Sequence, residues 1–211
     1  MILYVMASAP KIDSFKSIDS IAGVTYGQWT VRWWQWALSI PSDRNPVVDA
    51  TGLAAAQDQP KDVWFLAGIF GDGNRNTKYP LRKCKVPSGM PILIPVLNCE
   101  ADCIEYPHLK TDQDIVDHVL KQVNSIEKKD CFVNGEPVSP ERVPSDPRVF
   151  DVKVHPDFDR FHTGGGSSRA SADGYWVFLK DLPIGEHAIH FEGSCENGSI
   201  NSGAAYSLTV F

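Results

Sequence analysis

The chain has 211 residues, of which 43% are hydrophobic and 22% charged, as in a typical globular protein. We therefore expect a single folded domain over residues 1–211. The 20 Lys and Arg residues against 26 Asp and Glu give a net charge of −6 without a basic stripe, so nucleic acid is excluded as an expected partner. The longest apolar runs, 63–70 and 90–97, fall far short of the roughly 20 residues of a membrane-spanning helix, so no membrane span is predicted.

The N-terminus has two interpretations. Residues 2–6 are apolar and are followed by Ala7, Ser8 and Ala9, which resemble a signal-peptidase site, but the apolar stretch is short and has no positive residues before it. Residues 1–9 are therefore either the remnant of a signal peptide or a first β-strand, and export to the periplasm or the extracellular space is favoured over a cytoplasmic location.

Two helices are predicted. Over about residues 26–40, Trp29, Trp33, Trp36 and Ile40 recur at helical spacing, and Pro41 ends the pattern. A second apolar stripe on this helix predicts that most of its surface is buried. Over about residues 111–129, Thr111 and Asp114 form a capping box before an amphipathic stripe, and lysines at 128 and 129 suit the negative end of the helix dipole.

The rest of the chain is rich in short β-prone segments bounded by glycine and proline. Residues 63–70 predict a central strand, residues 81–86 and 90–97 a hairpin, and Asn134-Gly135 a tight turn between two further strands. Three more strands are expected over residues 175–180, 187–192 and 205–211. We predict an α+β fold that is mainly β: an antiparallel β-sandwich, jelly-roll-like, with the two helices packed against it.

Several stretches of the sequence resemble an uncharacterised group of bacterial, often exported, Trp-rich proteins. The resemblance covers about half the chain and is carried by the segments YGQWTVRWWQWALSIP, NPVVDATG, VWFLAG, CKVPSGMPILIPVLN and DGYWVFLKDLPIGEHAIHF. Similar proteins often have a clear signal peptide and a cysteine near position 55, and this chain departs from that pattern with Ala54, Ala55 and Ala56. The resemblance implies no activity.

The first candidate site follows an apolar strand. Asn98, Glu100 and Asp102 occupy alternate positions, so their side chains leave one face of an extended chain. Carboxylates at this spacing suit cation coordination or the acid–base pair of a glycosidase. The alternative is a polar strand end that only interacts with solvent.

A second cluster, His155, Asp157, Asp159 and His162, has the ligand types of a divalent metal site without a known metal-binding spacing. Arg169 follows the glycine-rich residues 163–168, which form either an anion-binding loop or a flexible linker, the linker being favoured. No cofactor is predicted, although a divalent cation is possible.

The tryptophans and the cysteines complete the candidates. Four of the six tryptophans lie in the first helix, where core packing is favoured over an exposed sugar-binding platform, and Trp34 is the one expected to line a pocket. The five cysteines lack the second ligand pair of a structural zinc site. If the protein is exported, a disulfide is expected among Cys84, Cys99, Cys103 and Cys131.

These observations favour a non-catalytic binding or structural protein, exported, that recognises a carbohydrate or another protein. Its candidate binding residues are Trp34, Asn98, Glu100, Asp102 and Arg169. One alternative is a carboxylate- or metal-dependent hydrolase with Glu100, Asp102 and His162 as its catalytic candidates. The other is an envelope or virulence accessory factor that acts by protein interaction.

Overall fold

The computed structural model describes residues 12–70, 79, 81–158 and 164–211; residues 1–9, interpreted above as a signal-peptide remnant or a strand, lie outside this part. Strands account for 42% and helices for 17% of the residues, which confirms the predicted α+β, mainly β class. The helices are α1 (Tyr26–Ser39) and α2 (Asp112–Val123). The strands are β1 (Ser20–Ile21), β2 (Val24–Thr25), β3 (Trp64–Phe65), β4 (Ile69–Phe70), β5 (Leu81–Val86), β6 (Ile92–Asp102), β7 (Ile126–Val133), β8 (Glu136–Pro137), β9 (Glu141–Arg142), β10 (Phe150–Val154), β11 (Gly166–Leu179), β12 (Gly185–Cys195) and β13 (Ile200–Val210).

Most strands belong to two sheets that pack against each other, as the predicted sandwich requires. Sheet A has the order β10-β11-β6-β3, with β9 beside β11, and sheet B has the order β4-β13-β12-β7-β8, with β5 beside β13. Pairing is antiparallel except for β3 with β6 and β5 with β13. Between the sheets, Ile94 and Val177 of sheet A share one apolar core with Phe191 and Tyr206 of sheet B.

Helix α1 covers the opposite face of sheet A. Thr25 and Gln28 form a capping box at its N-terminus, and its tryptophans are all buried. Trp33 packs edge-on against Trp176 of β11, with ring centroids 5.5 Å apart. The prediction of a buried, Trp-rich helix is therefore confirmed, and α1 ends one residue before the expected limit.

Asn45 closes the C-terminal end of α1. Its Nδ2 donates to the carbonyl oxygens of Ala37 (2.7 Å) and Ile40 (2.8 Å), and its Oδ1 accepts from the backbone N–H of Val47 (2.9 Å). The side chain is 0% exposed, so water cannot replace these bonds. One buried amide thus satisfies helix carbonyls that would otherwise lack partners.

Helix α2 begins as predicted but ends earlier. The capping box between Thr111 and Asp114 is present, and Ile115, Val119 and Val123 are buried against the far end of sheet A. The predicted limit at residue 129 is wrong, because the chain turns at Asn124 and enters β7 at residue 126. There Lys128 and Lys129 pair with β12 and so contribute to a strand, not to a helix terminus.

Two predictions about strand pairing are also wrong. Strands β5 and β6 do not form a hairpin: β5 pairs with β13 in sheet B, while β6 lies in sheet A between β11 and β3. Residues 63–70 form not one central strand but β3 at the edge of sheet A and β4 in sheet B. The chain changes sheets at Gly68, where a Cβ atom would lie 2.6 Å from Ser202 Oγ, so the crossing needs a residue without a side chain.

Other local predictions are confirmed. Asn134 and Gly135 adopt positive φ angles in the turn between β7 and β8, and the C-terminal strands form with longer limits than expected. Among the helices of the described residues, neither has the length and apolar character needed to cross a bilayer.

We expect Asn45→Ala to destabilise the protein by about 3 kcal/mol, because it leaves buried carbonyl and N–H groups without partners. Urea denaturation followed by far-UV circular dichroism measures this change. The nearby exposed Asp43→Ala is the control and should shift the free energy of unfolding by less than about 0.5 kcal/mol. Equal stability of the two variants would contradict the role given to Asn45.

Candidate functional site

The alternation predicted for Asn98, Glu100 and Asp102 is present in β6. These residues lie opposite Gly174, Ala172 and Ala170 of β11, in that order. Residues directly opposite in an antiparallel pair project from the same face, and Ala170 and Ala172 belong to the core beneath α1. The three polar side chains therefore point toward the α1 side of sheet A.

A cavity of about 100 Å³ lies beside this part of β6. Strand β3 pairs with β6 only at Ile92 and Leu93, so further along no described strand of sheet A pairs with that edge of β6. The walls of the cavity are formed by residues of α1, of the adjacent ends of β12 and β13, and of α2. The lining residues are Trp33, Trp34, Ala37, Leu38, Val47, Leu97, Asn98, Cys99, Glu100, Glu105, Tyr106, Gln122, Phe158, Cys195 and Ile200.

Glu100 is the buried carboxyl group of this cavity. Its side chain is 8% exposed, and Oε1 has no hydrogen-bond partner within the described part of the chain. Burial raises the pKa of Glu100 well above its ordinary value, and the negative charges of Asp102 and Glu105 raise it further. These effects favour the neutral carboxylic acid, which can both donate and accept a hydrogen bond.

Trp34 contributes a hydrogen-bond donor to the same cavity. Trp29, Trp33 and Trp36 each donate their Nε1–H to a backbone carbonyl, whereas the buried Trp34 Nε1 has no partner within the described chain. Trp64 and Trp176 share this lack of a partner, but of the three only Trp34 lines the cavity. At 6% exposure Trp34 cannot serve as an exposed stacking platform.

Asn98 also lines the cavity, with its amide held by the backbone. With the amide oriented to satisfy its neighbours, the nitrogen donates to the carbonyl oxygens of Tyr175 (3.2 Å) and Leu97 (3.0 Å). This orientation leaves the amide oxygen as an acceptor. The three sequence candidates Trp34, Asn98 and Glu100 are thus brought together at one cavity.

Asp102, in contrast, shapes the chain and does not line the cavity. It is 1% exposed, and its Oδ1 accepts hydrogen bonds from the backbone N–H groups of Ile104 and Glu105. These bonds hold the turn that follows β6. The position of Glu105 at the cavity depends on that turn.

Three polar residues at the cavity were not among the sequence candidates: Glu105, Tyr106 and Gln122. Tyr106 donates a hydrogen bond to Glu105, and Gln122 of α2 donates to the Tyr106 hydroxyl. Burial and the Glu105 charge raise the pKa of Tyr106 to about 12, so it remains a phenol. The spacing of Glu105 from Asp102 was a usable signal, because an aspartate that caps a turn places the residue three positions later beside it.

The remaining candidates lie elsewhere. Arg169 belongs to β11 and forms an ion pair with Asp112 at 2.8 Å, so the predicted linker is wrong for residues 166–169. His155 Nδ1 accepts from the backbone N–H of Asp157 in a local turn. Asp159 and His162 lie outside the described residues. Within the described residues no group of three His, Cys, Asp or Glu side chains is placed to hold a metal ion, and the cation stays a prediction.

Comparison with protein-family models, with curated proteins and with solved structures finds no match to this chain. The resemblance to exported, Trp-rich bacterial proteins therefore stays a prediction.

The raised pKa of Glu100 has a consequence for stability. Above pH 4.5 the unfolded chain loses the Glu100 proton while the folded chain keeps it, so this group lowers the free energy of unfolding as pH rises toward the folded-state pKa. The limiting slope is about 1.4 kcal/mol per pH unit. The neutral amide of Glu100→Gln removes this loss.

We therefore expect Glu100→Gln to be more stable than the wild type at pH 7, with the difference shrinking as pH falls to about 4.5. Urea denaturation at intervals between pH 4 and pH 8 measures it. The matched control is Glu136→Gln, an exposed glutamate of β8, which should follow the wild-type profile. A Glu100→Gln profile parallel to the wild type would show that Glu100 ionises normally in the folded state.

Proposed function

We propose that this protein is a binding protein for an uncharged, hydroxyl-bearing ligand of the carbohydrate class, and that the ligand enters the cavity beside β6. The observation that carries the proposal is a pair of buried groups on one cavity, Glu100 Oε1 and Trp34 Nε1, neither of which has a hydrogen-bond partner among the described residues. Buried polar groups without partners cost free energy, and a ligand that forms hydrogen bonds with them recovers that cost. The proposal keeps the exported, non-catalytic role expected from the sequence.

The chemistry of the walls favours a neutral ligand. Among the described residues that line the cavity there is no Lys or Arg, while Glu100 and Glu105 are present, and this composition disfavours an anion. A sugar hydroxyl both donates and accepts hydrogen bonds. It therefore matches a protonated Glu100, the Trp34 N–H donor and the free acceptor of Asn98.

The size of the cavity favours a partial entry of the ligand. A cavity of about 150 Å³ encloses one benzene ring, and this cavity is about 100 Å³. We infer that one edge of a sugar ring, with its neighbouring hydroxyl groups, occupies the cavity while the rest of the ring lies outside. Such an arrangement suits the terminal unit of a glycan better than the middle of a chain, and better than an extended peptide.

A glycan array and saturation-transfer NMR with free monosaccharides test the proposal. We expect binding to a subset of glycans that share one terminal sugar, and a 5- to 30-fold loss of affinity in Trp34→Phe, about 1–2 kcal/mol for one lost hydrogen bond. Trp64→Phe is the matched control, because it removes another buried, unpartnered N–H away from the cavity. Absence of any sugar binding, or an equal loss in both variants, would refute the proposal.

A second candidate function is glycoside hydrolysis, one of the sequence alternatives. It is favoured by one observation: two carboxyl groups, Glu100 and Glu105, line the same cavity, and burial raises the pKa of the first. A protonated carboxyl group beside a carboxylate is the acid–base arrangement of a glycosidase. In this reading Glu100 donates the proton to the leaving oxygen and Glu105 acts as base or nucleophile.

The hydrolase alternative is tested with aryl glycosides that match the sugars found by the array. Turnover that falls at least 100-fold in Glu100→Gln, while the variant still binds the sugar, would support it. Binding without any release of the aryl group by the wild type would leave the non-catalytic proposal standing alone.

A further inference from the structure

Sheets A and B come very close together at one end of the cavity. A Cβ atom placed on Gly193 of β12 would lie 2.5 Å from the Cβ of Leu97 in β6, so only glycine permits this approach. Alternate residues of a strand project from the same face. Cys99 therefore leaves β6 on the same face as Leu97, and Cys195 leaves β12 on the same face as Gly193.

The two thiols meet across the gap between the sheets. Both are buried, both line the cavity beside β6, and neither is part of a disulfide. Each thiol shifts the pKa of the other. A disulfide requires the two backbones to approach closely, and the contact between Gly193 and Leu97, two residues earlier in each strand, provides that approach.

We propose that Cys99 and Cys195 are a built-in redox pair that forms a reversible disulfide joining sheet A to sheet B, with a small peroxide as oxidant. The sequence predicts, for an exported protein, a disulfide among Cys84, Cys99, Cys103 and Cys131, a set that does not include Cys195. This inference does not depend on what the cavity binds.

The environment of the pair assigns the order of reaction. The neighbouring Cys99 thiol lowers the pKa of Cys195, and burial opposes this effect without reversing it. The interaction with Cys195 and burial both raise the pKa of Cys99. These opposite shifts favour Cys195 as the thiolate that attacks first. Burial raises the pKa of Cys84 and of Cys131 to about 12, so those two remain unreactive thiols.

The chemistry balances with one peroxide per disulfide. The Cys195 thiolate attacks one oxygen of hydrogen peroxide, the O–O bond breaks, and the leaving hydroxide takes up the proton that Cys195 lost, giving a sulfenic acid and water. The Cys99 sulfur then attacks the Cys195 sulfur, the S–O bond breaks, and the hydroxide leaves as water with the Cys99 proton. Two sulfurs are oxidised and the two peroxide oxygens are reduced. The cavity is large enough for this oxidant.

The test is peroxide treatment of the folded, reduced protein, followed by thiol titration and non-reducing peptide mapping by mass spectrometry. We expect two of the five thiols to disappear, and one cross-linked peptide pair to contain Cys99 and Cys195. Dithiothreitol should restore both thiols. Because the bond closes a loop of roughly 100 residues, we expect oxidation to raise Tm on the order of 10 °C.

Cys103→Ser is the matched control and should form the same cross-link, because Cys103 lies next to β6 but outside the pair. Cys195→Ser should lose the cross-link and the dithiothreitol-sensitive rise in Tm. A Cys195 that proceeds to sulfinic acid while Cys99 stays free, a cross-link between other cysteines, or five unchanged thiols would overturn the proposal. If the serine variant does not fold, the wild-type peptide map decides between these outcomes by itself.

Discussion

The burial of the indole rings of α1 is the constraint on which the rest of the structure depends. These rings fill the space over sheet A, and three of them also donate an N–H to a carbonyl of a segment outside the helix. The acceptors are Ile21, Leu66 and Gln57. Each bond ties a stretch with few strand partners to the helix, so α1 organises the first third of the described chain as well as the core. Its fourth indole, Trp34, is thereby held against the end of β6.

The polar groups of the cavity lower the stability of the fold, and in this respect the cavity differs from an ordinary apolar core. A buried carboxyl group without a partner lowers stability, as does an indole N–H that donates to nothing. Leucine at position 100 would satisfy the same burial without this cost. The fold nevertheless supports Glu100 with an organised turn: Asp102 receives two backbone N–H groups, and Tyr106 contacts Glu105. Departures from the best local choice of residue are typical of functional sites.

Sequence patterns predicted which face a residue occupies better than which strand it pairs with. The tryptophan spacing predicted the burial of α1, and alternation placed Asn98, Glu100 and Asp102 on one face, because both depend only on local geometry. The prediction of a β5–β6 hairpin is wrong because a short turn with proline and glycine can connect strands of two different sheets as well as two paired strands. The contribution of Gln122 to the cavity depends on how α2 docks, which no local pattern contains. The inward orientation of Cys195 could have been predicted from the sequence, because it continues the alternation of the inward-facing positions 189, 191 and 193 of β12.

The position of β13 inside sheet B has a consequence for biosynthesis. This strand pairs with β12, with β4 and, in parallel, with β5, which precedes it by more than a hundred residues. A nascent chain that has not yet released residues 200–210 from the ribosome leaves these three strands with unpaired edges. Such edges invite pairing with other chains, and distant contacts form slowly. Sheet B is therefore completed only when β13 pairs with strands that lie far from it in the sequence.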